Sequence, residues 1–164
     1  MEKKQKNSVS RQKGTEFQID DVDKQIIQFL QIDGRKSYTD ISEELGITVG
    51  TVRNRVQRLM ENDILKIVGV VDPFKTGTAT VAMLGLRVRL SKLENVISEL
   101  VKIPSIRFVA ASTGSFDLFA EIITSSNEEL YRIFTNELSK IDGIESNESS
   151  MILKIHKQSY DWVD

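Results

Sequence analysis

The hydrophobic period changes once along this chain, and that change limits the folds open to it. Up to Met60 apolar residues recur at helical spacing; from Ala79 they alternate in a period of two. One element type cannot bury both patterns, so the sequence predicts a helical unit followed by a sheet-containing one. Val22, Ile26, Ile27 and Leu30 mark a first helix, with Asp20, Asp21 and Asp23 at its start, where the helix dipole favours anions. Gly34 ends it. Ser37 caps a second helix, in which Tyr38, Ile41 and Leu45 share a face and which Gly46 closes. Thr48 caps a third, with Val52, Val56, Leu59 and Met60 facing inward. Ile64 to Val71 is rich in β-branched residues and stops at Asp72-Pro73, which reads as a short strand or wing, and Phe74 to Thr78 reads as a hinge.

Beyond Ala79 the order of patterns is strand, helix, strand, strand, helix, strand. Ala82, Leu84, Leu86, Val88 and Leu90 alternate with Val81, Met83, Gly85, Arg87 and Arg89. Leu93, Val96, Ile97, Leu100 and Val101 give a helix that stops at Pro104. Ile106–Ser112 and Leu118–Thr124 form a hairpin about a Gly-containing turn. Leu130, Ile133, Phe134, Leu138 and Ile141 make a helix ended by Asp142-Gly143, and a last strand runs from Ile144 to His156. The expected class is therefore α+β: an N-terminal winged helix-turn-helix joined by a hinge to a ferredoxin-like βαββαβ domain. The expected divisions are a flexible basic tail at 1–16, a helix-turn-helix domain at 17–66, a strand and hinge at 67–78, the second domain at 79–158 and a short tail at 159–164. One face of its sheet lacks a cover from these elements, which predicts packing against a second copy.

Composition removes several function classes. Zero Cys excludes disulfides and thiolate chemistry, and the single His156 leaves little for a zinc site or a Ser-His-Asp triad. No catalytic residue, metal or cofactor is expected. No apolar run reaches the roughly 20 residues of a membrane span, and Met1-Glu2-Lys3-Lys4 is not followed by an apolar signal core, so the expected place is the cytoplasm, in association with the nucleoid. The net charge of −2 hides its distribution: Arg53, Arg55 and Arg58 fall in one acid-free stretch, and the tail 1–16 holds five bases against two acids.

A helix, a tight Gly turn and a second helix carrying arginines is the pattern of a DNA reader, and double-stranded DNA is the expected partner. With Val52, Val56 and Leu59 inward, Gly50, Thr51, Arg53, Asn54, Arg55 and Arg58 are expected to face outward, joined by Ser37, Tyr38 and Thr48 at the helix starts. Arginine grips guanine with two hydrogen bonds, asparagine does so with adenine, and threonine meets a thymine methyl or a phosphate. The small Gly50 would let the backbone approach DNA.

These segments resemble the Lrp/AsnC family of feast-or-famine regulators over about 17–158. Ile19-Asp20-Asp21-Val22-Asp23-Lys24-Gln25-Ile26-Ile27 is similar to the family's first-helix opening, and Val52 to Leu59 to its Val-x-x-Arg-Val-x-x-Leu. Asp72-Pro73 and Thr113-Gly114-Ser115-Phe116-Asp117 also match. Val49 stands where many members have Pro, and Asp63 where Gly ends the recognition helix. The resemblance implies a second domain that forms homodimers, assembles them into tetramers or octamers, and binds an amino acid between subunits.

The turn Thr113–Asp117 suits such an effector, because Gly114 exposes backbone N–H groups for a carboxylate and Asp117 can pair with an ammonium. From spacing alone an ordinary hairpin with a surface acid is the stronger reading, and the resemblance reverses that order. The resemblance adds Ile141, Met151 and Ile152 as positions that influence the effector response, each otherwise core or interface. Two alternatives stay open: an architectural DNA-binding protein that needs no effector, and a tetrapyrrole decarboxylase on the same scaffold, for which one His and scattered Arg87, Arg89, Arg107 and Arg132 are a poor provision.

Overall fold

The computed structural model describes residues 17–77 and 80–159, which form two compact units, the first ending at Gly69 and the second spanning Val70–Gln158. The basic arm 1–16 and the tail residues Tyr160 and Trp162 lie outside the described residues.

Three helices make the first unit: α1 (Asp21–Ile32), α2 (Tyr38–Leu45) and α3 (Val49–Glu61). Each start is capped. Asp20 accepts from the Asp23 N–H while Asp23 accepts from the Asp20 N–H, Ser37 accepts from Asp40 N–H, and Thr48 accepts from Thr51 N–H. The tight turn between α2 and α3 needs a left-handed residue, and Gly46 supplies it at φ 64°. Ile26, Ile27, Leu30, Ile41, Val52, Val56, Leu59 and Leu65 form the core.

Two expectations fail in this unit. Met60 does not face inward and is exposed, because the stripe already closed at Leu59 and one residue further rotates the side chain by about 100°. The chain after α3 forms no strand: Leu65 is buried, Val68, Val70 and Val71 are exposed, and a 3-10 turn follows at Pro73–Lys75. β-Branched residues favour extended backbone, but a strand needs a neighbour, and among the described residues none lies alongside. Asp63, standing where a glycine is expected, takes φ 57° and ends the helix as glycine would.

The second unit runs β1 (Thr80–Val88), α4 (Leu93–Leu100), β2 (Ile106–Ala111), β3 (Leu118–Thr124), α5 (Asn127–Asn136) and β4 (Ile144–Met151). The sheet is antiparallel with order β2-β3-β1-β4. Ala82, Leu84, Leu86 and Val88 join Leu118, Ala120 and Ile122 on one face, packed on Val96 and Leu100 of α4 and Leu130 and Ile133 of α5. The opposite face carries Met83, Phe108 and Phe119, the two phenylalanines exposed.

The final helix is shorter than its apolar pattern implied. It stops at Asn136, and Leu138 enters the core from a separate 3-10 turn. Similarly, β4 stops at Met151 rather than His156. Met151 pairs with Ala82, and beyond it Ile152 N–H still donates to Val81 C=O at 2.9 Å. No described helix is long and apolar enough to cross a membrane.

Candidate DNA-reading helix and sensor turn

Three faces of α3 are distinguishable. Val52, Val56 and Leu59 are buried; Gly50, Arg53, Asn54, Gln57 and Arg58 are exposed; Thr51 and Arg55 are half-buried between them. Arg53 and Asn54 point outward as expected. Arg58 is exposed too, but its head group turns onto α1; Arg55 is half-buried and turns onto α1 as well. Arg55 Nη1 donates to Asp20 at 2.7 and 2.8 Å and to Asp23 Oδ1 at 2.9 Å, and Arg58 Nη2 donates to Asp23 Oδ2 at 2.9 Å. The Arg58 guanidinium also sits 4.7 Å from the centroid of the Phe17 ring.

This arrangement answers a problem of burial. The Asp23 side chain has no solvent exposure, so its charge needs donors; two guanidiniums and the Asp20 N–H supply them. The hydrogen bond from Arg55 holds the Asp20 carboxyl below the usual aspartate range, and the same bond raises Arg55. The cap residues Ser37 and Thr48 spend their hydroxyl acceptors on helix N–H groups, and Thr48 also meets the Thr51 hydroxyl at 2.9 Å. Tyr38 lies half-buried against the core. Gln57, which sequence reasoning omitted, joins the outward face and donates to Glu61 at 2.8 Å. Its signal was present in the helical period, since it lies one turn beyond Arg53 and Asn54.

In the second unit the turn Thr113–Asp117 joins β2 to β3, with Gly114 at φ 112°. Thr113, Gly114 and Ser115 are exposed. Asp117 is neither an idle surface charge nor a free carboxylate. Its Oδ2 accepts from Val88 N–H at 2.7 Å, at the point where the β1 to β4 register shifts, and its own N–H donates to Leu86 C=O at 2.9 Å. The Phe116 ring lies over Gly85 and meets Phe119 edge to face at 5.7 Å. The turn is thereby fastened to β1 through backbone, carboxylate and ring. Met151 and Ile152 lie elsewhere: Met151 pairs with Ala82, about 13 Å along β1 from Leu86. Ile141 packs partly buried on the core and lines a groove with Asn95, Glu99, Ile103 and Lys140.

A capped tri-helical unit with an outward arginine and asparagine, followed by an α+β domain with a fastened glycine turn, defines a helix-turn-helix regulator with a separate sensor domain. The AsnC-type helix-turn-helix model matches residues 19–60 and the Lrp/AsnC ligand-binding domain model matches 81–162. The chain belongs to the Lrp/AsnC family of transcriptional regulators. It is 35% identical over 142 residues to the HTH-type transcriptional regulator FL11 of Pyrococcus furiosus, covering 86% of this chain and 93% of that one. LrpA of Pyrococcus horikoshii is 34% identical over 127 residues, 77% of this chain and 90% of that one. Among solved structures, Escherichia coli AsnC superposes with a TM-score of 0.74 at 20% identity, over 87% of this chain and 97% of that one. A Neisseria meningitidis transcriptional regulator, determined as a complex with L-Met, does so with a TM-score of 0.76 at 20% identity, over 89% and 97%.

Proposed function

We propose that this regulator reads DNA through the outward face of α3 and responds to an amino acid held at the Thr113–Asp117 turn. The observation that carries the effector half is the turn itself. Gly114 at φ 112° leaves backbone N–H groups of an exposed loop available to a carboxylate, while the bonds to Val88 and Leu86 keep that loop in one place. Asp117 has one oxygen committed to Val88, and its other oxygen, without a hydrogen bond among the described residues, can meet an ammonium. The L-Met complex of the Neisseria regulator supports the ligand class. Ile141, Met151 and Ile152 act on the response from a distance or across a subunit boundary rather than within the turn.

On the DNA side, Gly50, Arg53, Asn54 and Gln57 offer the base-reading groups, with Thr51 toward phosphate and Ser37, Tyr38 and Thr48 placing the helix starts. Arg55 and Arg58 take a positioning role. Homodimers meet through the open sheet face and assemble further, to tetramers or octamers, so that an effector changes the spacing of recognition helices. The protein works in the cytoplasm on DNA, as a regulator and not an enzyme. Its domains are taken as 17–66 for DNA and 79–158 for sensing and assembly, linked by 67–78.

Thermal denaturation against the twenty amino acids, alongside a gel-shift titration on the DNA upstream of its own gene, tests both halves. A true effector at 100 times its Kd adds about 2.7 kcal/mol of stability. A flat response across the panel overturns the sensing half, and equal affinity for unrelated duplexes overturns the reading half.

A further inference from the structure

We propose that Asp20 and Asp23 form an acidic clamp that keeps Arg55 off DNA phosphates, trimming indiscriminate affinity so that binding depends on the base-reading face of α3. The inference rests on the DNA reading above and adds a specificity device to it. Arg55 Nη1 is held by both Asp20 oxygens and by Asp23 Oδ1, all within 2.9 Å, and Arg58 Nη2 takes the other Asp23 oxygen. Two carboxylates against two guanidiniums leave the α1 flank of α3 neutral. Of the three arginines on α3, only Arg53 has no ion pair among the described residues.

Asp20 is the revealing member. Asp23 is buried and needs its arginines, whereas half of the Asp20 side chain is exposed, and an exposed ion pair adds little to stability. Its clearest effect is electrostatic: without Asp20, Asp23 alone would face two arginines, and the surplus positive charge would be offered to phosphate. Phosphate attraction is independent of sequence, so withholding it raises the ratio of specific to non-specific binding.

The test uses the full chain with its upstream duplex and a scrambled duplex of equal length, titrated at 50 and 200 mM salt. Asp20→Asn keeps the helix cap, because asparagine caps as well as aspartate does. The expected result is tighter binding of Asp20→Asn to the scrambled duplex, with the ratio of affinities at the two salts growing about 3.5-fold for each arginine that reaches a phosphate. Asp21→Asn, an exposed acid in the same helical turn, changes the net charge equally and should give a smaller effect. Arg55→Ala alone should leave scrambled binding almost unchanged, and in the Asp20→Asn background it should abolish the gain. The clamp is overturned if Asp20→Asn matches the parent or Asp21→Asn, if it weakens binding to both duplexes, or if Arg55→Ala alone loses scrambled affinity. A parent chain that binds neither duplex removes the DNA reading itself, a result distinct from any of these.

Discussion

At Asp23 a full charge occupies a position without solvent access, and its partners set the energetic cost of every nearby substitution. Removing the acid leaves two guanidiniums that still reach water or Asp20. Removing the guanidiniums instead strands a buried carboxylate. We therefore expect Arg55→Ala/Arg58→Ala to lower stability by about 3–5 kcal/mol in urea denaturation, and added Asp23→Asn to recover most of that loss. A triple variant no more stable than the double would show that the arginines contribute by packing. The sequence displayed Asp20, Asp21 and Asp23 as one acidic first turn facing the helix dipole. It could not show that two of them turn to α3, because that pairing joins residues more than thirty positions apart. For the same reason Arg55 and Arg58 looked outward: the helical period identifies which side chains leave the core, not what a neighbouring helix offers them.

Single elements were most legible where their determinants are local. Caps at Ser37 and Thr48, the left-handed Gly46, and the hairpin at Gly114 all follow from residues within three or four positions of one another. Strands were less legible, since pairing decides them; hence 64–71 has none and β4 ends at Met151. The sensor turn lies between these cases, because its seat on β1 depends on a distant glycine. A Cβ at Gly85 would lie 2.7 Å from the Phe116 ring, so Gly85→Ala must expel that ring. The expected cost is about 1–3 kcal/mol, with the thermal response to effector lost and DNA affinity retained. Adding Phe116→Leu should return part of the stability by vacating the space. Undiminished effector response in Gly85→Ala would mean that ring position does not shape the site.

For the molecule as a whole, the question is what covers the open sheet face. Phe108 and Phe119 are exposed there beside Met83 and Ile123, across from a helix-covered face whose apolar residues are fully used. A regulator with one recognition helix per copy contacts too few bases for tight specific binding, so two copies on a two-fold axis would double the half-sites and explain the exposed rings together. Glu121 lies between Met83 and Phe108 in the register, which argues for an interface with a polar interior rather than a purely apolar one. Phe119→Glu would then add a carboxylate to Glu121 and Glu148, which already lie on that face. Sedimentation equilibrium should show the mass falling to that of one chain, while helical content stays unchanged because Phe119 points away from the domain core. Gel-shift affinity for the upstream duplex should drop about 100-fold or more with the second half-site no longer linked. A variant that keeps its parent mass would move the assembly surface to another part of the chain, and one that turns monomeric yet keeps full affinity would uncouple DNA reading from pairing.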